Sequence, residues 1–173
     1  MPDAAGLELI ARALREHVGD DAVVGTSYHR EQACVQVDPA RLVPVLGFLR
    51  DDADHAFNFL SSVHGCDYLP EQPRLGVHYE LLNMHTTDRL RVKLRLSVED
   101  PQVESCVGLF PTAEFQEREI YDMFGVVFTG HPDLRRILLP EDYEGFPQRR
   151  DFPLGGEPVL FTHNEPGSPG WYQ

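Results

Sequence analysis

LGVHYELLNMHTTDRLRVKLRLSV, from Leu75 to Val98, decides the fold class. Its second half alternates strictly. Leu90, Val92, Leu94, Leu96 and Val98 are apolar, and Arg89, Arg91, Lys93 and Arg95 between them are basic. A period of two belongs to a strand whose side chains point to opposite faces in turn. One face must therefore be buried while the other is strongly basic. The first half, Leu75–Met84, is another β-leaning run. Thr86–Asp88 joins the two as a hairpin, although the turn lacks the favoured glycine.

Upstream, Leu7, Ile10, Leu14 and Val18 recur at helical spacing, with Asp3 placed to cap and Gly19 to stop the helix. Ala22–Ser27 and Ala33–Val37 lean towards strands. Asp38–Pro39 is a good helix start, and Leu42, Val45, Leu46 and Leu49 make one apolar face. Pro44 should bend that helix or confine regular structure to its later part. Ala56–Val63, with Phe57, Phe59 and Val63 alternating, reads as a strand. Downstream, Pro111–Thr112 opens a helix to about Phe124, and Gly125 supplies the stop.

The order is αββα, then βββ and α. It predicts an α+β domain with its helices packed on a mostly antiparallel or mixed sheet. Six of the fourteen prolines and five glycines lie between Pro140 and Gln173. Residues 1–139 are thus read as the domain, and 140–173 as an extended Pro/Gly-rich C-terminal tail that binds a partner.

Apolar residues make up 42% of the 173, the share of an ordinary globular chain. No apolar run is long enough to span a bilayer, and MPDAAGLELI lacks the parts of a signal peptide, so a cytoplasmic location is expected. The net charge of −13 argues against nucleic acid and against an anionic membrane surface as partners. Cys34, Cys66 and Cys106 form no CxxC, which leaves no local framework for an iron–sulfur cluster or structural zinc. Three reduced, mostly buried thiols are expected.

EREIYDMFGVVFTGHPDLRRILL, Glu117–Leu139, mixes charge densely with large apolar groups. Buried charges are costly unless paired. Glu114, Arg118 and Asp122 stand at i, i+4 and i+8, a ladder that stabilises an exposed helix. The ladder leaves Glu117, Glu119 and the crowding of Phe115, Tyr121 and Phe124 unexplained; a partner covering the helix explains them. His131–Pro132 is a rigid turn before Asp133 and the Arg135–Arg136 pair, and Arg149–Arg150–Asp151 repeats the theme. Arginine is a favoured interface anchor. The predicted interface set is Glu117, Arg118, Glu119, Tyr121, Asp122, Phe124, His131, Arg135, Arg136, Arg149, Arg150 and Asp151.

Two catalytic readings compete with that one. Glu117 and Glu119 with His131 as base would be a general acid–base centre, but side chains two apart on a helix diverge. His64, Cys66 and Asp67 would be half of a metal site in a free-standing hydrolase, and a second ligand pair is missing because His78 and His85 stand seven residues apart. A buried histidine and thiol at a strand end is the plainer alternative. The basic stripe on residues 89–95 is either the wet face of a strand or a dock for an acidic subunit.

EREIYDMFGVVFTGHPDLRRILLPEDYEGFPQRRDFPL, Glu117–Leu154, closely resembles the signature of the thirty-kilodalton subunit of NADH:quinone oxidoreductase, the C subunit of bacterial respiratory complex I. ERE, YD, FG, GHPDLRR, the EGFP-type turn and RRDFPL occur in order at family spacing. HGCDYLP, His64–Pro70, and the hairpin after it fit more loosely, and nothing before about Ala56 carries the likeness. Phe115 stands where the family pattern has tryptophan. The resemblance implies a non-catalytic subunit of the peripheral arm, on the cytoplasmic side of the cell membrane. It further implies a location beside the quinone module formed by subunits D, B and I. The hydrogenase-like D is the chief neighbour, and the cluster-carrying B and I lie nearby. The resemblance implies no catalytic, cofactor-binding or metal residues in this chain, the flavin and iron–sulfur clusters being in partners. Relatives in membrane-bound hydrogenases and other quinone- or ferredoxin-linked dehydrogenase complexes are the alternative.

Overall fold

A computed structural model describes residues 2–153. In chain order the elements are α1 (Ala4–His17), β1 (Val23–His29), β2 (Gln32–Val37), α2 (Leu42–Asp51), β3 (Phe59–Asp67), β4 (Leu75–Leu82), β5 (Arg89–Leu96), β6 (Gln102–Glu104), α3 (Ala113–Phe124) and β7 (Val127–Thr129). The five-stranded sheet runs β1-β2-β5-β4-β3. β2 lies parallel to β5 and the other neighbours are antiparallel, so the sheet is mixed.

The hairpin forms as its alternation dictates, with Leu75 opposite Leu96 and Leu82 opposite Arg89. Its turn manages without glycine. The Asn83 side chain accepts from the backbone N–H of His85 at 2.8 Å and Thr86 at 3.0 Å, and Thr87 takes a left-handed φ of 61°. Such a φ is costly for a β-branched residue, and the asparagine supplies the local bonds that hold it.

Leu75, Val77, Tyr79 and Leu81 of β4 and Leu90, Val92, Leu94 and Leu96 of β5 join Val35 and Val37 in one buried layer. The helices cover it with Leu7, Ile10 and Leu14 of α1, Leu42, Val45, Leu46 and Leu49 of α2, and Ile120, Met123 and Phe124 of α3. Burying each such side chain contributes about 1.5–3 kcal/mol. Asp3 caps α1 by accepting from Gly6 N at 2.7 Å. Pro44 falls in the first turn of α2, where its missing N–H has no helical partner to lose, so the helix is regular from Leu42.

The strand expected over Ala56–Val63 is displaced. β3 starts at Phe59 and ends at Asp67, with Phe57 buried just ahead of it and Phe59 exposed. Its register slips between Leu60 and Ser62, so Leu60 and Val63 share the buried face although three residues apart. A bulge of this kind breaks the period of two. β6 and β7, only three residues each, are too short to show a period in the sequence; they pair in parallel on either side of α3. Of the three thiols Cys106 is buried, whereas Cys34 and Cys66 are half-buried.

α3 packs so closely on β3 that a Cβ added at Gly65 would lie 2.6 Å from Phe124 Cδ2 and 3.3 Å from Ile120 Cγ2. Gly65→Ala is therefore expected to lower stability by about 1–3 kcal/mol through overpacking, read as a lower urea midpoint at unchanged slope. Residues 140–153 hold no helix or strand. They are nevertheless fastened to the domain, with Gln148 N on Met123 O at 3.2 Å and Arg150 N on Asp67 Oδ2 at 2.7 Å. The remainder of the expected tail, 154–173, lies outside the described residues.

Candidate partner-docking surface

α3 ends where Gly125 adopts a left-handed φ of 73° and returns its N–H to Tyr121 O. The chain then doubles back through β7 and lays residues 131–139 beside the helix. His131 makes this return rigid. Its Nε2 lies 3.0 Å from Glu114 O, and its Nδ1 accepts from Asp133 N at 3.0 Å.

Asp122 organises the return. Its Oδ2 accepts from three consecutive backbone N–H groups, Ile137 at 3.0 Å, Leu138 at 2.7 Å and Leu139 at 2.9 Å. Oδ1 takes Arg136 Nη1 at 2.7 Å. The carboxylate is fully buried. Burial pushes its pKa up, but the three N–H groups and the guanidinium outweigh that and hold it below the usual carboxylate range. Arg136 also donates to Gly145 O and lies over the rings of Tyr143 and Phe146. Arg149 donates to Phe124 O at 2.7 Å. Phe146 closes on Gly125, where a Cβ would sit 2.5 Å from its ring.

A second ionic knot ties the C-terminal segment to the sheet. Arg74 donates to both oxygens of Asp67 at 2.8 and 2.6 Å and to both of Asp151 at 2.7 and 2.6 Å. Hydrogen bonding to Arg74 holds the carboxyls of Asp67 and Asp151 low. Burial outweighs the hydrogen bonds at Glu117, whose pKa is raised.

These shifts fix the sign of the pH response. A carboxyl depressed on folding contributes stability above its unfolded value of about 3.9, which is lost as pH falls through the folded value. Asp67, Asp122 and Asp151 act in that sense. Glu117, raised on folding, contributes in the protonated form and loses that contribution as pH rises through its folded value. The three depressed groups outnumber the one raised, so urea midpoints are expected to fall steadily from pH 5 towards about pH 2. A flat profile there would contradict these pairings.

The predicted interface residues thus divide. Glu117 is fully buried, bonded to Ser105 Oγ at 2.6 Å and Cys106 N at 2.8 Å. The helical ladder does not form: Arg118 donates to the carbonyls of Arg135 and Arg136 instead of pairing with Glu114 or Asp122. Phe124 is core. Arg136, Arg149 and Asp151 engage this chain's own groups, and Arg150 Nη1 donates to Leu69 O. Glu119, Arg135 and part of Tyr121 face outward, as do Arg150 and Asp151 beyond the groups they bond. With them, outside the predicted set, are large apolar side chains: Phe115 is 59% exposed, Leu138 62%, Val127 40% and Ile137 38%. The exposed Ile-Leu pair beside an arginine pair was legible as a signal.

The catalytic alternatives are not assembled. Glu117 points inward, Glu119 outward, and both ring nitrogens of His131 are engaged by the backbone. Asp67 is bound to Arg74 on the buried side and does not join His64. The triplet that does converge is His64, His78 and Glu80, since His78 stands directly across from His64 in the β3–β4 register.

Among the described residues no helix is long and apolar enough to cross a membrane. A family profile described as the 30 Kd subunit of the respiratory-chain NADH dehydrogenase matches residues 35–158, reaching well upstream of the motifs that carried the resemblance. The C subunit of the NADH-quinone oxidoreductase of Roseiflexus sp. is 45% identical over 95% of this chain and 92% of its own. Its counterpart in Herpetosiphon aurantiacus is 49% identical over 76% of this chain and 77% of its own. Among solved structures, a trypsin-resistant fragment of Nqo5 is 30% identical with a TM-score of 0.53, covering 72% of this chain and 98% of the fragment. A chain of an archaeal membrane-bound sulfane sulfur reductase shares the fold at a TM-score of 0.61 and 22% identity, over 87% of this chain and 86% of that one. The chain belongs to the family of the 30 Kd subunit of the respiratory-chain NADH dehydrogenase, as a subunit of an NADH-quinone oxidoreductase.

Proposed function

We propose that this chain is a non-catalytic docking subunit in the peripheral arm of a proton-translocating NADH:quinone oxidoreductase. It seats chiefly on the hydrogenase-like subunit of the quinone module, close to the cluster-carrying subunits B and I. It meets the cytoplasmic side of the membrane only through the complex. Flavin and iron–sulfur chemistry belongs to the partners. One observation carries this reading. Phe115, Ile137 and Leu138 project from a frame that Asp122, Arg118 and Arg136 have already made rigid within the chain. A preorganised frame lowers the ordering cost of association, and exposed apolar side chains set among charge are what a protein partner buries.

Glu119, and Arg135 paired with Asp133 at 2.9 Å, lie exposed at the rim to steer approach and orientation, and the internally bonded ions act on a partner only by shaping what it meets. Leu138→Glu is expected to leave the fold intact and to weaken binding to the hydrogenase-like subunit by about 2 kcal/mol or more, roughly 30-fold in Kd. The check is co-purification with that subunit, tagged, beside a circular dichroism melt of the isolated variant. Undiminished recovery of the variant with the tagged partner would remove the surface from consideration.

The fold shared with the sulfane sulfur reductase chain favours a second reading. The same docking subunit would then serve a related membrane-bound hydrogenase or other quinone- or ferredoxin-linked complex. The electron-input subunits recovered in the pull-down separate the two.

A further inference from the structure

Opposite the helix-covered face, the sheet presents Cys34, Arg91, Lys93, His78, Glu80 and His64 on neighbouring strands. His64, His78 and Glu80 can each bring one ligand atom to within 4.8 Å of the others. They adjoin an open hollow of about 350 Å3 lined in part by Ser62, His64, Glu80 and Arg91.

His78 is the informative member. It is 5% exposed. Its Nε2 lies 2.9 Å from Tyr68 Oη, while its Nδ1 is buried without any hydrogen-bond partner. A buried polar atom left unpaired costs about 1–3 kcal/mol. With the ring proton on Nε2 and donated to Tyr68, Nδ1 carries a bare lone pair. That is the arrangement by which an outer hydrogen bond orients a metal-ligating imidazole.

We propose that His64, His78 and Glu80 form a binding site for a divalent transition-metal cation of the zinc class on the open face of the sheet. Two imidazoles and one carboxylate are the donors of open, three-ligand zinc sites, whose fourth position is left to water or to an incoming group. The hollow provides room for that fourth ligand. Arg91 donates to Glu80 Oε1, the oxygen that also lies 3.9 Å from His64 Nε2, so a metal would share this carboxylate with Arg91. Arg91 and Lys93 repel a further cation and so weaken its binding. The metal would tie β3 to β4 from outside, independently of the docking surface on α3.

The test is titration of the metal-stripped full chain with cobalt(II), followed in the visible spectrum, and with zinc(II), followed by calorimetry. One equivalent is expected to bind with micromolar affinity and to give the intense bands of four-coordinate cobalt. His64→Ala and Glu80→Gln, at partly exposed positions, are expected to abolish it while keeping the wild-type melt. Tyr68→Phe keeps the ring and removes the orienting oxygen, so it is expected to weaken binding about tenfold. Saturable binding absent below millimolar metal, or binding unchanged in His64→Ala and Glu80→Gln, would overturn the site.

Discussion

Asp122→Ala is expected to lower the free energy of unfolding by about 3–5 kcal/mol, the cost of removing one member of a buried ion pair. The change does more than delete an acid. It leaves Arg136, only 12% exposed, without its carboxylate and frees three backbone N–H groups of the Ile137–Leu139 turn. The turn is held to α3 through this one side chain and through Arg118, so loss should be local before it is global. Limited trypsin digestion is expected to cut rapidly after Arg135 and Arg136 in the variant and slowly in the parent. Asp122→Asn keeps a hydrogen-bond acceptor for part of the turn and should fall between the two. A variant that resists trypsin as well as the parent would mean that the turn is held by something else.

The second large effect is expected at Arg74. Its guanidinium, 6% exposed, answers Asp67, whose side chain is 1% exposed, and Asp151, which is half-exposed. Arg74→Met removes the charge while keeping most of the stem. Stability is expected to fall by about 3–5 kcal/mol at neutral pH, because Asp67 remains buried with only the N–H groups of Leu69 and Arg150 to bond it. The pH response distinguishes this cause from simple loss of packing. In the parent, Asp67 is depressed and its contribution disappears on acidification. In the variant the same carboxyl is uncompensated, its folded value rises, and part of the lost stability returns as pH falls and it protonates. Parallel stability–pH curves for parent and variant would show that Arg74 contributes packing alone.

How far the chain could be read before folding depended on the range of the interactions. The alternation of residues 89–96 is local, and it placed β5, its buried face and its hairpin partner. Leu7, Ile10 and Leu14 likewise marked α1 through their own spacing. β3 was misplaced because a bulge between Leu60 and Ser62 breaks the period from which its position was read. At the candidate docking surface, the density of charge in Glu117–Leu139 drew attention to the stretch but did not give the bonding of each residue. A helical ladder for Glu114, Arg118 and Asp122 is the local solution, whereas Arg118 and Asp122 bind groups fourteen to eighteen residues on. His78 looked isolated from His64 because only strand register sets them side by side.

Gly125 shows the same division. Its role as helix stop was legible from composition and position. The close approach of Phe146 and Arg149 to its Cα was not, because it depends on the return of a segment more than twenty residues later. The interface residues that bond internally and the apolar residues that project form one device in this reading: the former hold the latter in place.

The most direct measurement of that claim is oxidative footprinting of Phe115 and Leu138 in the isolated chain and in the intact, turning-over complex. The account predicts heavy labelling of both side chains in isolation and strong protection in the complex. Equal labelling in the two, with the complex fully assembled and active, would contradict it.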